Sequence, residues 1–137
     1  MTKSIQRVFV HMVWSTKNRA PLIEESDDPL IERIIASQCL RLGWQPIAVG
    51  CARDHVHVLC RVGVREPLVA VIRAIKSASA VLVNRERPSA KLLWQEGYAA
   101  LSIDPTNVKS VGLYVHEQRR HHQRRQLDED LERVGSD

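Results

Sequence analysis

The stretch QPIAVGCARDHVHVLCRV, residues 45–62, decides the fold. Its two halves are rich in β-branched and apolar residues, and the polar pair Arg53-Asp54 separates them. This pattern predicts a hairpin, with strand two over 45–52, a short turn, and strand three over 55–62. Side chains alternate across a strand, so Val56, Val58, Cys60 and Val62 share one face and read as core. His55 and His57 share the other face, about 7 Å apart along the backbone.

Helical and strand signals flank the hairpin on both sides. Residues 5–15 alternate, with Val8, Val10, Met12 and Trp14 on one side, and predict strand one. A polar, basic loop, Thr16-Lys17-Asn18-Arg19, follows. Asp28-Pro29 opens a helix whose Leu30, Ile31, Ile34, Ile35, Cys39 and Leu42 recur at helical spacing until Gly43 stops it. Pro67 starts a second helix carrying Leu68, Val71, Ile72, Ile75 and Leu82 on one stripe, which ends near Glu86. Residues 97–103 predict strand four. Asp104-Pro105 opens a third helix, with Val108, Val111 and Val115 inward, reaching about Arg125. The order β-α-β-β-α-β predicts an α+β, ferredoxin-like fold: an antiparallel four-stranded sheet with two helices on one face. An extra C-terminal helix follows. A site is expected on the sheet face those two helices leave open, or beside the third helix.

Composition sets bounds on this reading. The chain has 137 residues, 44% hydrophobic and 26% charged, which suits one domain with a true core rather than a disordered tail. Residues 1–125 read as that domain and 126–137 as an acidic tail. The net charge of +4 is compatible with a nucleic-acid partner without requiring one. No run of about 18 apolar residues is present, so no membrane span is expected. Arg7 and His11 break the N-terminal apolar run, which argues against a signal peptide. Three cysteines, Cys39, Cys51 and Cys60, form no CxxC pair and are expected to fill core space in a reduced, cytoplasmic protein. No nucleotide-binding motif is visible.

Six histidines are clustered rather than scattered. His55 and His57, on one rigid strand, can take adjacent positions around one metal ion. They can equally be two surface residues of an amphipathic strand. On the third helix, Tyr114 and Gln118 are four residues apart and project together, offset from the valine stripe. Tyr114 can serve as a nucleophile, although a phenol with a pKa near ~10 needs help at neutral pH. A metal ion can supply that help by polarising a phosphate, with Gln118 as a neutral oxygen ligand. The alternative is a half-buried tyrosine and a solvated glutamine. The basic run from Arg119 to Arg125 suits either a solvated helix end or a phosphate-contacting surface. His121 and His122, about 100° apart on a helix, do not chelate well together and read as nucleic-acid contacts or packing.

Taken together, four segments resemble the single-tyrosine HUH transposases of the insertion-sequence-200-like group and the REP-associated tyrosine transposases. They are the first strand running into residues 15–19, Asp54-His55-Val56-His57-Val58-Leu59, Trp94-Gln95-Glu96-Gly97-Tyr98, and Tyr114 with Gln118 followed by His121-His122. The resemblance spans nearly the whole chain. It implies a divalent metal, Mg²⁺ or Mn²⁺, held by His55, His57 and Gln118. It implies that Tyr114 attacks single-stranded DNA, leaving a 5′-phosphotyrosine and a free 3′-hydroxyl. It also implies a homodimer in which the tyrosine helix can complete the partner's site, and recognition of DNA hairpins by shape and basic surfaces. Lys17, Arg19, Arg53, Lys76, Arg119 and Arg120 are candidate DNA contacts. Tyr98 is expected to pack or to stack on DNA. The competing expectations are a non-catalytic or domesticated ferredoxin-like nucleic-acid-binding protein and a small metal-binding or regulatory domain that dimerises through its sheet.

Overall fold

A computed structural model describes residues 3–88 and 91–120. Four strands, β1 (Phe9–Ser15), β2 (Gln45–Cys51), β3 (His55–Arg61) and β4 (Ala99–Ile103), form one sheet in the order β2-β3-β1-β4. All neighbouring strands are antiparallel. With α1 (Asp28–Arg41) between β1 and β2, and α2 (Leu68–Glu86) between β3 and β4, this is the predicted split arrangement. A third helix, α3 (Val108–His116), follows β4.

The alternation read from the sequence fills the main core. Val10, Met12 and Trp14 of β1, Val49 and Cys51 of β2, and Val56, Val58 and Cys60 of β3 face α1 and α2. The helices contribute Ile31, Ile34, Ile35, Cys39, Val71, Ile72 and Ile75. Each fully buried aliphatic side chain of this kind contributes roughly 1.5–3 kcal/mol of transfer free energy. The three cysteines are buried and unbridged, as expected of core fillers. Among the described residues no helix is long and apolar enough to cross a membrane.

The opposite face is covered as well. Leu59 of β3 packs with Val111 and Val115 of α3, so the third helix lies over the face that α1 and α2 leave open. A bulge between Pro46 and Ala48 sets the phase of β2. Proline donates no ladder hydrogen bond, and the slip places Ala48 opposite Leu59 and Gly50 opposite His57, on the α3 side. Small side chains there let the helix come close.

Several predicted boundaries differ: strand four begins at Ala99 rather than at residue 97, and a 3-10 turn, Pro105–Asn107, precedes α3. Strand one begins at Phe9 rather than at residue 5, because pairing to β3 and β4 starts at Phe9; Ile5 and Val8 are exposed. The regular part of the third helix spans Val108–His116; the Glu117 backbone leaves helical geometry (φ −100°, ψ 25°), residues 118–120 are helical again, and the expected reach to Arg125 lies outside the described residues. His121, His122, Arg124, Arg125 and the acidic tail lie outside the described residues.

Candidate active site

The site is built from three elements and the segment that follows α3. β3 carries His55 and His57, β1 carries His11 and Ser15, and α3 carries Tyr114, with Gln118 just beyond its end. His11, His55, His57, Ser15 and Gln118 are all buried. The histidine pair is therefore not on a solvated strand face, which removes the surface reading. The His55 and His57 rings lie 5.1 Å apart at their centroids, and the Tyr114 ring lies 6.2 Å from that of His57, edge to face at 71°.

Gly50 is what admits the helix end. A Cβ on Gly50 would collide with the Val115 carbonyl oxygen and stand 3.1 Å from Gln118 Cγ. Because Gly50 pairs with His57 in the ladder, Gln118 is seated against the strand position next to that histidine. Only a residue without a side chain permits this approach. The Gln118 amide Nε2 donates to the Tyr114 carbonyl at 3.2 Å, while its Oε1 is buried with no hydrogen-bond partner. An amide oxygen left in that state costs about 1–3 kcal/mol, so its retention calls for an explanation.

His55 and His57 each have a partner at Nδ1. His55 Nδ1 lies 2.7 Å from Asp54 Oδ1, and His57 Nδ1 lies 2.7 Å from His11 Nε2. Burial opposes charge on the Asp54 carboxyl. The hydrogen bond and electrostatic attraction of His55, with those of Arg19, outweigh that and hold its pKa down at about 2. Asp54 also ties the basic loop to the site. Its backbone carbonyl accepts from Thr16 N at 2.8 Å and Thr16 Oγ1 at 3.1 Å, and its Oδ2 pairs with Arg19 Nε at 3.3 Å. Asn18 and Arg19 hold φ of 57° and 53°, a left-handed conformation uncommon outside glycine. Backbone bonds from Lys17 N to Leu93 O and from Gln95 N to Ser15 O knit the Trp94-to-Gly97 segment onto the same loop.

The candidate DNA contacts divide into two groups. Lys17, Arg19 and Arg53 are exposed at the end of the sheet where His55 sits, and Arg120 is exposed beyond α3. Lys76 and Arg119 are engaged within the chain. Lys76 Nζ donates to the Gln95 and Gly97 carbonyls at 2.6 and 3.1 Å, and burial draws its pKa down. Arg119 forms a two-pronged ion pair with Asp28 at 2.7 and 2.8 Å and donates to the Ile23 carbonyl, which anchors the segment carrying Gln118 to the start of α1. Tyr98 packs on the α1/α2 core, on the far side of the sheet from the histidines. With Arg73, Lys76 and Glu96 it lines a cleft of about 390 Å³.

Sequence reasoning missed His11 and Gly50. Both act across strands, so their signal appears only once register is known. Among the described residues no three His, Cys, Asp or Glu side chains group as a metal site.

The fold and this arrangement agree with the comparisons to known proteins. A candidate transposase from Deinococcus radiodurans R1 superposes with a TM-score of 0.69 at 20% identity, covering 87% of this chain and 98% of that one. A REP-associated tyrosine transposase bound to a REP hairpin superposes with a TM-score of 0.63 at 13% identity, covering 89% of this chain and 72% of that one. No curated protein sequence matches the chain. The family model described as "Transposase IS200 like" matches residues 4–118, which takes in β1–β4, α1–α3 and Tyr114, and the chain accordingly belongs to the IS200-like transposase family.

Proposed function

We propose that this chain cleaves and rejoins single-stranded DNA through a 5′-phosphotyrosine formed on Tyr114. The observation that carries the reading is the placement of Tyr114 beside a buried histidine pair of the same chain, with the orphaned Gln118 oxygen next to it. An exposed tyrosine far from any polar cluster would have supported only a binding role.

The donor set fits a divalent cation. Two imidazoles and one amide oxygen, held by neighbouring elements, satisfy the otherwise uncompensated Oε1 and leave positions open for phosphate oxygens. His55, His57 and Gln118 would hold Mg²⁺ or Mn²⁺, which when bound polarises the scissile phosphate. The chain's own residues do the remainder. The Tyr114 oxygen forms a bond to phosphorus as the bond from phosphorus to the 3′-oxygen breaks. The phenol loses its proton, and the leaving oxygen ends as a 3′-hydroxyl. The phosphotyrosine retains the energy of the broken linkage, so a later attack by a 3′-hydroxyl rejoins strands with no nucleotide cofactor.

Lys17, Arg19 and Arg53, clustered at the His55 end, suit the phosphates flanking the cleaved bond, with Arg120 as a further contact. Arg19 is shared with Asp54, so it couples DNA contact to the histidine strand. A hairpin-bearing strand is the proposed substrate, supported by the REP hairpin held by the structurally similar transposase. The proposed assembly is a homodimer.

The test uses labelled single-stranded DNA containing a hairpin, with Mn²⁺ or Mg²⁺, and reads covalent protein–DNA adduct on a denaturing gel. Adduct is expected with the wild type and none with Tyr114→Phe. Absence of any adduct across a broad DNA library would overturn the reading in favour of a non-catalytic nucleic-acid-binding protein.

A further inference from the structure

His11 is fully buried in the centre of β1, where an apolar residue would be the ordinary occupant. In the ladder it sits opposite Leu59, and its neighbour Val13 sits opposite His57, so His11 and His57 are diagonal across the strand pair. Their ring planes are inclined by only 24°, with centroids 4.9 Å apart. His11 Nε2 and His57 Nδ1 are 2.7 Å apart, a distance at which one proton lies between the two nitrogens.

That proton has two possible owners, and they have opposite consequences. If His11 Nε2–H donates, a neutral His57 accepts at Nδ1 and carries its own proton on Nε2, which then has no lone pair for a cation. If His57 Nδ1–H donates, His11 accepts and His57 Nε2 keeps its lone pair. Only the second arrangement serves a metal ligand. His55 follows the same plan, since the Asp54 carboxylate beside its Nδ1 acts there as an acceptor. Ligating histidines generally hold their second nitrogen against such a partner, and losing the partner costs about 10–100-fold in metal affinity.

We propose that His11 is a positioning residue. It accepts the His57 Nδ1–H and thereby holds His57 in the tautomer and ring orientation that present Nε2 to a divalent cation. This rests on the reading of His57 as a metal ligand, and the controls separate the two.

The experiment measures Mn²⁺ affinity of the purified protein without DNA, from the electron paramagnetic resonance signal of free Mn²⁺. Long-range ¹H–¹⁵N correlation spectra of the histidine rings give the tautomers. His11→Phe keeps an aromatic ring, slightly larger than the imidazole, but removes the acceptor, so it should lose about 10–100-fold in Mn²⁺ affinity. His57 should shift from its Nδ1–H toward its Nε2–H form in the same variant. His11→Gln, whose Oε1 can accept at a similar reach, should restore both readouts. A purely structural role for His11 would lower the melting temperature of both variants and leave the His57 tautomer unchanged, and that result would overturn the proposal. If His11→Phe does not fold, the wild-type spectrum decides alone: a His57 that carries its proton on Nε2 defeats the proposal. Retained affinity in His57→Ala would sink the ligand reading itself. Lost affinity in His57→Ala with unchanged affinity in His11→Phe would sink only the role of His11.

Discussion

The two faces of the sheet are buried to similar depth, but different chemistry fills them. Toward α1 and α2 the strands present Val10, Met12, Trp14, Val49, Val56, Val58 and Cys60, an apolar set that needs no partners beyond contact. Toward α3 they present His11, Ser15, His55 and His57 beside Leu59, and the helix adds Val111 and Val115 at one end and Gln118 at the other. Apolar burial stabilises the fold in proportion to area. Burying imidazoles and an amide does not, because each polar group must recover in the fold the hydrogen bonds it gave up to water. The first face accounts for why the chain folds. The second carries groups whose placement opposes stability unless hydrogen bonds, or the proposed cation, offset it.

That contrast predicts different responses to mutation. Ile72→Ala, in the first face, should cost about 2–5 kcal/mol in chemical denaturation and leave the Mn²⁺ affinity of the folded fraction unchanged. A matching loss of affinity would break the division between faces. Gly50→Ala acts at the second face and forces the Val115 carbonyl away from β2. Its expected stability cost is smaller, about 1–3 kcal/mol. Its adduct yield should nonetheless fall by about 100-fold, because Tyr114 and Gln118 move with the helix end. Wild-type yield in that variant would mean the close approach at Gly50 is packing alone. Arg119→Ala removes the two-pronged pair to Asp28 and should cost about 1–3 kcal/mol, with faster amide hydrogen exchange confined to the segment after α3. Lys109→Ala, on the exposed side of α3, should stay within about 0.5 kcal/mol of wild type by the same denaturation assay.

Much of this contrast was legible in residue order. The alternation of Val56, Val58 and Cys60 identified the core face, and the helical spacing of Ile31, Ile34 and Ile35 identified what covers it. His55, His57, Tyr114 and Gln118 stood out because strand and helix periodicity are local properties. His11 and Gly50 did not, since their roles depend on which residue of another strand lies beside them, and the bulge at Pro46 resets that register on β2. The break in α3 at Glu117 was hidden for a related reason. Residues 117–125 hold no proline or glycine to mark a stop, and the break occurs where the helix end meets β2 at Gly50 and Arg119 meets Asp28. Arg119 read as a free cation because Asp28, far away in sequence, cannot be seen as its partner in advance.

The most direct test of the central claim is to map the covalent adduct by mass spectrometry after nuclease and trypsin digestion. Trypsin separates the two tyrosines, with Tyr98 in residues 92–109 and Tyr114 in residues 110–119. The account predicts a nucleotide joined through its 5′-phosphate to Tyr114 in the second peptide. A nucleotide on Tyr98, across the sheet from the histidines, would contradict it.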